Sequence, residues 1–242
     1  MNRIIFEPHE CTDGRIVLSD ARAEHIRNTL HGVLGQTIKV GLLNGGIGTA
    51  VISEISPEAV ALAPGELIPD PLEPWFDILI SVPRPRAMKR LWPQLTAMGV
   101  RRIRLVRGTK TEKSYLGSHV LSPDNYRPLL IDGLMQAGTT RLPEVFPPGF
   151  LRDIVPELDN PFKLLAHPGS VRPVLPKNRP TPFIPILAVG TDGGWTDSEI
   201  ELLHTAGFID FALGPRPLRT DTACIALIGV LESLVSGIDR AP

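Results

Sequence analysis

Two apolar segments, each ending in a glycine-containing turn, constrain the fold of this chain more than any other feature. Residues 186–189 read Ile-Leu-Ala-Val, which is typical of a buried strand, and the turn Gly-Thr-Asp-Gly-Gly follows at residues 190–194. Residues 208–213 form a second apolar segment, which Gly214 ends. A helix is predicted after each turn. In open α/β sheets such turns lie at the carboxyl ends of the strands, where ligands bind.

The predicted helices carry their own boundary signals. Thr196 and Glu199 have the spacing of a capping box, and Gly207 is placed to end the first helix. Thr220 is placed to cap the second helix. Neither turn has the spacing of a dinucleotide-binding motif or a P-loop, so one turn alone would be interpreted as structural. Two such turns, with two arginines in the second, favour a ligand site.

The second turn resembles a signature of the SPOUT-class RNA methyltransferases. Residues 213–223 read Leu-Gly-Pro-Arg-Pro-Leu-Arg-Thr-Asp-Thr-Ala, and the signature is close to Leu-Gly-x-Arg-x-Leu-Arg-Thr-Glu-Thr-Ala. The resemblance is greatest to the bacterial family that methylates N3 of a uridine in small-subunit ribosomal RNA. Residues 190–194 resemble the Gly-Pro-Glu-Gly-Gly of that family, with Thr191 and Asp192 in place of Pro-Glu.

This resemblance implies a fold and a cofactor. The fold is α/β, a SPOUT-type and mostly parallel sheet with a C-terminal trefoil knot, preceded by a small PUA-like β-barrel domain. The implied cofactor is S-adenosylmethionine, held in the two turns without a metal. The residues expected to bind it are Gly190, Thr191, Gly193, Gly194, Leu213, Gly214, Pro217 and Leu218.

Methyl transfer from a sulfonium is a direct displacement, which depends on alignment of the reacting groups. Because uridine N3 carries a proton, a base or a group that stabilises negative charge must assist. Arg219 is the first catalytic candidate, since it could hold a phosphate or stabilise charge on the uracil, and Arg141 is a second candidate for RNA binding. Asp221 or Asp192 could accept the proton, although a carboxylate beside a helix start is more often a cap or a dipole partner.

A third segment departs from the family pattern. Residues 135–144 resemble a block close to Glu-Gln-Ser-Gly-Arg-x-Arg-x-Pro-Glu, but Met135 replaces the acid and Thr139 the first arginine. Earlier in the chain, Gln94 and Ala97 stand where lysine and glutamate are usual. These departures keep two alternatives open beside ribosomal uridine methylation: another RNA target, or a non-catalytic RNA-binding or ribosome-assembly protein. The near-complete segment 213–223 argues against the last.

The proline-rich segment 69–74, with three prolines in six residues, predicts an extended linker between two domains. Residues 1–70 are predicted to form the β domain, with strands at 37–43, 48–55 and 59–63, one helix near 19–30, and a hairpin at Asn-Gly 44–45. Residues 75–242 alternate strands and helices, which indicates a mostly parallel sheet. Its predicted strands are 76–82, 101–106, 162–166, 183–189 and 208–213, and its helices include 86–98, 122–136 and 221–236.

The last of these helices is apolar nearly all round, so it needs cover on more than one side. A homodimer interface would supply that cover, and the resemblance implies a dimer. Burial within one subunit is the alternative from the sequence.

The charge of the chain is uneven. Residues 1–74 have a net charge of −5, residues 75–141 of +8 and residues 142–242 of −4, within a total of −1. Ten basic residues and one acidic residue lie between 84 and 113, which favours contact with ribosomal RNA or the small ribosomal subunit. The alternative is that these arginines pair with acids elsewhere in the chain. The net −5 of the N-terminal domain weakens an RNA-binding role there.

Other sequence features narrow the functional classes. No apolar run of 18 residues is present, and the first residues lack the apolar stretch of a signal peptide, so no membrane partner is expected. The two cysteines lie far apart, and the six histidines have no zinc-type spacing with them, so no metal is expected. This cysteine usage fits the reducing cytoplasm, the predicted location.

Overall fold

The computed structural model describes residues 3–167, 176 and 180–238. Its contacts divide the chain into two units, one of Met1–Glu73 with Leu130–Leu142 and the other of Pro74–Leu129 with Pro143–Pro242. The assignment of Leu130–Leu142 to the first unit differs from the sequence prediction, which kept all of 75–242 together. The physical reason is a cluster in which Leu134 and Met135 pack with Ile5 and Leu43.

The first unit contains a six-stranded sheet and, among the described residues, one complete α-helix. Its strands pair in the order β1-β4-β5-β6-β3-β2; β1 and β4 are parallel and the other neighbours are antiparallel. The three predicted strands and the hairpin at Asn44 are confirmed, and Asn44 has the positive φ (56°) that such a turn requires. The two short strands β2 and β3 were not predicted. The elements are β1 (Ile4–Phe6), β2 (Cys11–Thr12), β3 (Arg15–Leu18), α1 (Ala21–Asn28), β4 (Thr37–Leu42), β5 (Ile47–Ile55) and β6 (Val60–Ile68).

A buried carboxylate fixes the end of the linker within this unit. Asp70 is 4% exposed, and its Oδ2 accepts hydrogen bonds from Thr139 Oγ1 at 2.7 Å and from the backbone N–H of Thr140 at 2.8 Å. Its Oδ1 accepts from the backbone N–H of Leu72 at 3.0 Å. Burial alone would raise the pKa of Asp70, but these hydrogen bonds outweigh burial and hold the pKa below its ordinary value.

The second unit is an α/β structure around a parallel six-stranded sheet, as predicted. Its strands lie in the order β12-β10-β11-β7-β8-β9, and each neighbouring pair is parallel. The elements are β7 (Phe76–Ser81), α2 (Pro85–Ala97), β8 (Val100–Val106), α3 (Lys113–Leu116), α4 (Pro123–Ala137, which continues into the first unit), β9 (Glu144–Gly149), α5 (Leu151–Ile154), β10 (Lys163–Ala166), β11 (Ile186–Val189), α6 (Asp197–Thr205), β12 (Ile209–Phe211) and α7 (Thr220–Ile238).

Local sequence explains most of these elements. All six residues of β7 are buried, as expected for an inner strand covered on both faces. The capping box of Thr196 and Glu199 begins α6, and Gly207 follows its end with a positive φ of 86°. The predicted helix at 86–98 is confirmed as α2, which continues through Pro93. The strand β9 was missed because its two prolines resemble a loop; prolines are tolerated there because β9 is an edge strand.

Candidate active site

A cavity of about 460 Å³ lies where β10, β11 and β12 end. It is bounded by the turn after β11 (residues 190–194, "turn 1") and the segment after β12 (residues 212–219, "turn 2"), as the sequence predicted for a ligand site. All eight residues predicted to bind the cofactor line it: Gly190, Thr191, Gly193, Gly194, Leu213, Gly214, Pro217 and Leu218. Charged and polar groups that the sequence reasoning did not assign also line it: Lys110, His167, Asp197 and Thr220.

Turn 1 has a conformation that requires glycine. A Cβ atom at Gly190 would lie 2.9 Å from the carbonyl carbon of Gly194, which is too close for any side chain. Gly194 has a positive φ of 68°, and its N–H donates to the carbonyl of Thr191 at 2.8 Å. In the described part of the chain, no atom lies within 4 Å of a Cβ built on Gly194, so the backbone has open space beside it.

Turn 2 also exposes backbone and apolar surface. Gly214 has a φ of 145°, which side chains rarely adopt, and a Cβ built there meets no described atom within 4 Å. Leu218 is 44% exposed although it lines the cavity. An exposed leucine beside an open backbone provides apolar contact for a ligand without further rearrangement.

A hydroxyl joins the two turns. The Oγ1 of Thr220 donates to the carbonyl of Gly190 at 3.2 Å and lies 3.3 Å from Oδ1 of Asp192. The sequence predicted Thr220 as the cap of this helix; in the structure it is the first residue of α7, and its side chain connects turn 2 to turn 1. Thr220 is 3% exposed, so this connection is shielded from water.

Lys110, four residues after the end of β8, supports turn 1. Its Nζ donates to the carbonyls of Gly193 at 3.0 Å and Trp195 at 2.9 Å. The side chain therefore satisfies two backbone acceptors at the cavity wall. The sequence placed Lys110 only within a basic stretch, and no local motif marks it as part of the site.

The basic stretch is largely engaged within the second unit. Five of its arginines form ion pairs with carboxylates, including Arg84 with Asp192 at 2.9 Å and Arg101 with Asp77 at 2.6 Å. Arg107 donates to the carbonyl of Pro148 at 2.9 Å. The alternative of internal pairing thus holds for most of the stretch. Three exposed cations have neither an ion pair nor a side-chain hydrogen bond within the described ranges: Arg86, Lys89 and Lys113.

The catalytic candidates Arg219 and Asp221 lie together at the start of α7. The Nε of Arg219 is 3.7 Å from Oδ1 of Asp221, and the Nε of Arg90 donates to Oδ2 of Asp221 at 3.1 Å. Neither Arg219 nor Asp221 lines the cavity, although their neighbours Leu218 and Thr220 do. The hydrogen bond from Arg90 lowers the pKa of Asp221, which makes this carboxylate a weaker proton acceptor than an ordinary aspartate.

Arg141 is not brought into the cavity. It belongs to the first unit, where its Nη2 donates to Oε1 of Glu73 at 2.9 Å. The structure therefore assembles the eight predicted cofactor residues around one cavity, and Arg141 is not among the residues that line it.

The described residues show no group of histidine, cysteine or acidic side chains that could hold a metal ion. Of the helices that the structure describes, none is long and apolar enough to cross a membrane. Both cysteines are free, and burial raises the pKa of the Cys224 thiol.

Comparison with known proteins supplies independent findings. Residues 71–232 match the family of the RNA methyltransferase domain. The ribosomal RNA small subunit methyltransferase E of Treponema pallidum is 31% identical over 243 residues, which covers 96% of this chain and 90% of the relative. The enzyme of the same name from Synechocystis is 22% identical and covers 96% and 78%.

Two solved structures share the fold. A methyltransferase from Legionella pneumophila, in complex with the cofactor SAM, superposes with a TM-score of 0.77 at 23% identity and covers 96% of this chain and 97% of that one. A ribosomal RNA small subunit methyltransferase E from Neisseria gonorrhoeae, bound to S-adenosyl methionine, gives 0.76 at 23% identity and covers 97% and 98%.

Proposed function

This chain belongs to the RNA methyltransferase family, and we propose that it transfers the methyl group of S-adenosylmethionine to N3 of a uridine in small-subunit ribosomal RNA. The observation that carries the proposal is the cavity at the strand ends, because all eight residues of the two turns implicated by the family motifs line it. The proposal includes the trefoil knot, the PUA-like barrel, and a cytoplasmic site of action where ribosomal RNA is found.

The cavity fits the proposed cofactor in size and chemistry. Its volume of about 460 Å³ lies within the range of small-molecule sites. Gly194 and Gly214 leave open backbone for polar contacts, and Leu218 offers an apolar surface for a ring. S-adenosylmethionine carries both a carboxylate and cationic groups, and the lining contains Lys110 and Arg216 as well as Asp192 and Asp197. When bound, the cofactor supplies an activated methyl group on sulfur.

In the proposed reaction a bond forms between uridine N3 and the methyl carbon, the bond from that carbon to sulfur breaks, and the N3 proton passes to water. Arg219 is the residue we assign to the uracil, where a guanidinium stabilises the negative charge left by the departing proton. Asp221 and Asp192 are both held by arginines, at 3.1 Å and 2.9 Å respectively. We therefore assign a larger share of the rate acceleration to charge stabilisation by Arg219 than to proton removal by either carboxylate.

The RNA is proposed to contact a smaller set of cations than the sequence suggested. Arg86 and Lys89 lie on α2 and Lys113 on α3, and all three are exposed. Phosphate contact needs cations that are free to exchange their counterions, and most of the other basic residues from 84 to 113 are already paired. Arg141 stays a prediction for RNA binding.

A homodimer through α7 is part of the proposal. Ala226, Gly229, Val230 and Ser233 recur at the spacing of one helical face, and none of the four is buried. Apart from the backbone of α7 itself, no described atom lies within 4 Å of a Cβ built on Gly229, so the described residues leave this position of the helix open. A second copy would cover the face and supply the contact that the sequence requires of an apolar terminal helix.

Two of the departures from the family motif have a structural explanation that does not require another RNA target. Met135 is 2% exposed and packs in a hydrophobic cluster, and Thr139 is 7% exposed and donates to Asp70. Both residues therefore have packing roles within the first unit. Their replacement of charged family residues does not by itself imply a changed substrate.

The test is methyl transfer in vitro. Small ribosomal subunits are purified from cells that lack this protein, incubated with it and S-adenosylmethionine, and their RNA is digested to nucleosides. We expect one new N3-methyluridine per subunit by mass spectrometry. A methylated nucleoside of another kind would support a different RNA target, and transfer to none of the RNA would contradict the proposal.

A further inference from the structure

The carboxylate of Asp221 lies between two arginines that hold it unequally. Arg90, on α2, donates through Nε to Oδ2 at 3.1 Å, and a second guanidinium nitrogen of Arg90 contacts the same oxygen. The other oxygen, Oδ1, is buried and accepts no hydrogen bond from any residue the structure describes. Arg219 Nε lies 3.7 Å from Oδ1. The side chain of Asp221 is 13% exposed and that of Arg219 65%, so the carboxylate is enclosed and the second guanidinium is not.

The unpaired oxygen has a suitable donor within reach. A buried carboxylate oxygen without a hydrogen bond of ordinary length is unfavourable, because the more distant charge of Arg219 replaces only part of the interaction with water that burial removed. Shortening the contact with Arg219 by somewhat under 1 Å, to the usual length of a charged N–H···O bond, would satisfy it. Asp221 does not have to move for this to happen, because Arg90 already fixes Oδ2.

We propose that Arg90 is a positioning residue for Arg219: by occupying Oδ2 of Asp221, it leaves only Oδ1 to hold Arg219 beside the cavity. Without Arg90, both oxygens could bind Arg219 as a bidentate pair, and a guanidinium turned fully toward Asp221 is withheld from the substrate. With Arg90 in place, Arg219 has one anchor and keeps its other N–H donors for the uracil or a phosphate. The inference rests on the proposed function, in which Arg219 acts on the substrate.

Arg90 also keeps the carboxylate of Asp221 ionised. Its hydrogen bond lowers the pKa of Asp221, and the nearby charge of Arg219 acts in the same direction. The carboxylate is therefore ionised at neutral pH, and its negative charge is available to hold Arg219 over the pH range in which the reaction would run.

The first test is a double-variant cycle on methyl transfer. Arg90→Gln is expected to lower kcat roughly 10- to 100-fold, as a displaced catalytic group would, with the Kd for S-adenosylmethionine unchanged. Arg219→Ala lowers kcat further, and adding Arg90→Gln to Arg219→Ala causes no additional loss, because both act through one guanidinium. Arg152→Gln, at an exposed arginine of the same unit (77% exposed side chain), is the control. Multiplicative losses, or lost cofactor binding in Arg90→Gln, would show a structural role and overturn the proposal.

A second readout needs no activity. Nitrogen-15 NMR of the arginine Nε–H groups reports their hydrogen bonds, and the Arg219 signal is assigned by its loss in Arg219→Ala. We expect this signal to shift and exchange more slowly in Arg90→Gln, where Arg219 takes both oxygens. In Asp221→Asn the signal should instead exchange faster than in the parent.

The two readouts separate the proposal from the function on which it rests. If the parent protein transfers no methyl group but the two variants show the expected NMR changes, the proposed function is refuted and the positioning role of Arg90 is retained. If the Arg219 signal is the same in the parent, in Arg90→Gln and in Asp221→Asn, the positioning role of Arg90 is refuted, whatever the activity.

Discussion

At the scale of single residues, the site depends on how each carboxylate and guanidinium is already engaged. Asp221 and Asp192 looked equivalent in the sequence, since each follows a strand in a motif. In the structure Asp192 lines the cavity and pairs with Arg84, whereas Asp221 stands outside the lining and pairs with Arg90. Such partners lie more than 100 positions away in the chain, so no local pattern could have assigned them.

Arg219→Ala tests the residue to which the proposal gives the chemical role. Loss of a group that stabilises charge in the transition state lowers kcat by about 100- to 1,000-fold. The cofactor contacts lie in other residues, so the Kd for S-adenosylmethionine should stay within about twofold of the parent. Single-turnover transfer to small subunits, with calorimetry for the cofactor, measures both. Full activity in this variant would remove Arg219 from the mechanism.

Asp70→Asn tests the buried carboxylate that fixes the linker. The substitution disturbs several hydrogen bonds to a buried group and should lower the free energy of unfolding by about 1–3 kcal/mol at neutral pH. Because the folded pKa of Asp70 is depressed, its contribution is present above the unfolded value of about 3.9 and is lost as pH falls through the folded pKa.

Urea unfolding of both proteins between pH 3 and pH 6 should therefore show a difference that shrinks as the pH falls. Glu58→Gln, at an exposed acid of the same unit, is the control and should change little. An equal difference at every pH would mean that ionisation of Asp70 does not contribute.

At the scale of secondary-structure elements, the two strand–turn–helix segments could be predicted because every signal in them is local. The apolar strands, the glycines of turn 1 and the capping box of α6 all lie between residues 186 and 211. The strands β2, β3 and β9 were missed because they are short or contain proline, and only pairing with a neighbour makes them strands. The grouping of Leu130–Leu142 with the first unit depends on contacts such as those of Leu134 with Ile5, which are distant in sequence.

Thr220→Val tests the hydroxyl that connects the two turns. The variant keeps the shape of the side chain but removes the donor to the Gly190 carbonyl, which is 3.2 Å away. A net loss of about 0.5–1.5 kcal/mol corresponds to a cofactor Kd that is weaker by roughly 2- to 12-fold. Thr220→Ser should bind nearly as the parent does, and Thr222→Val, at an exposed threonine of α7, is the matched control. Equal binding by Thr220→Val and the parent would show that the connection does not support the cavity.

At the scale of the whole molecule, the proposal to be tested is that the protein is a homodimer. Gly229→Lys places a long cation on the uncovered stretch of α7, where no described atom lies within 4 Å of the new Cβ. The fold of one protomer should be unchanged or slightly stabilised, since lysine favours helices over glycine. We expect light scattering to give twice the monomer mass for the parent and the monomer mass for Gly229→Lys. Identical masses for the two proteins would exclude this face as the interface.

The most direct test of the central claim, that the cavity between the two turns holds the cofactor, is calorimetric titration with S-adenosylmethionine. It compares the parent with Gly193→Trp, whose side chain enters the cavity wall beside Lys110, and with Gly117→Trp at an exposed glycine that has no described atom within 4 Å of its Cβ position. We predict one site per chain in the parent and in Gly117→Trp, and none in Gly193→Trp. Equal binding by all three proteins would place the cofactor elsewhere and contradict the account.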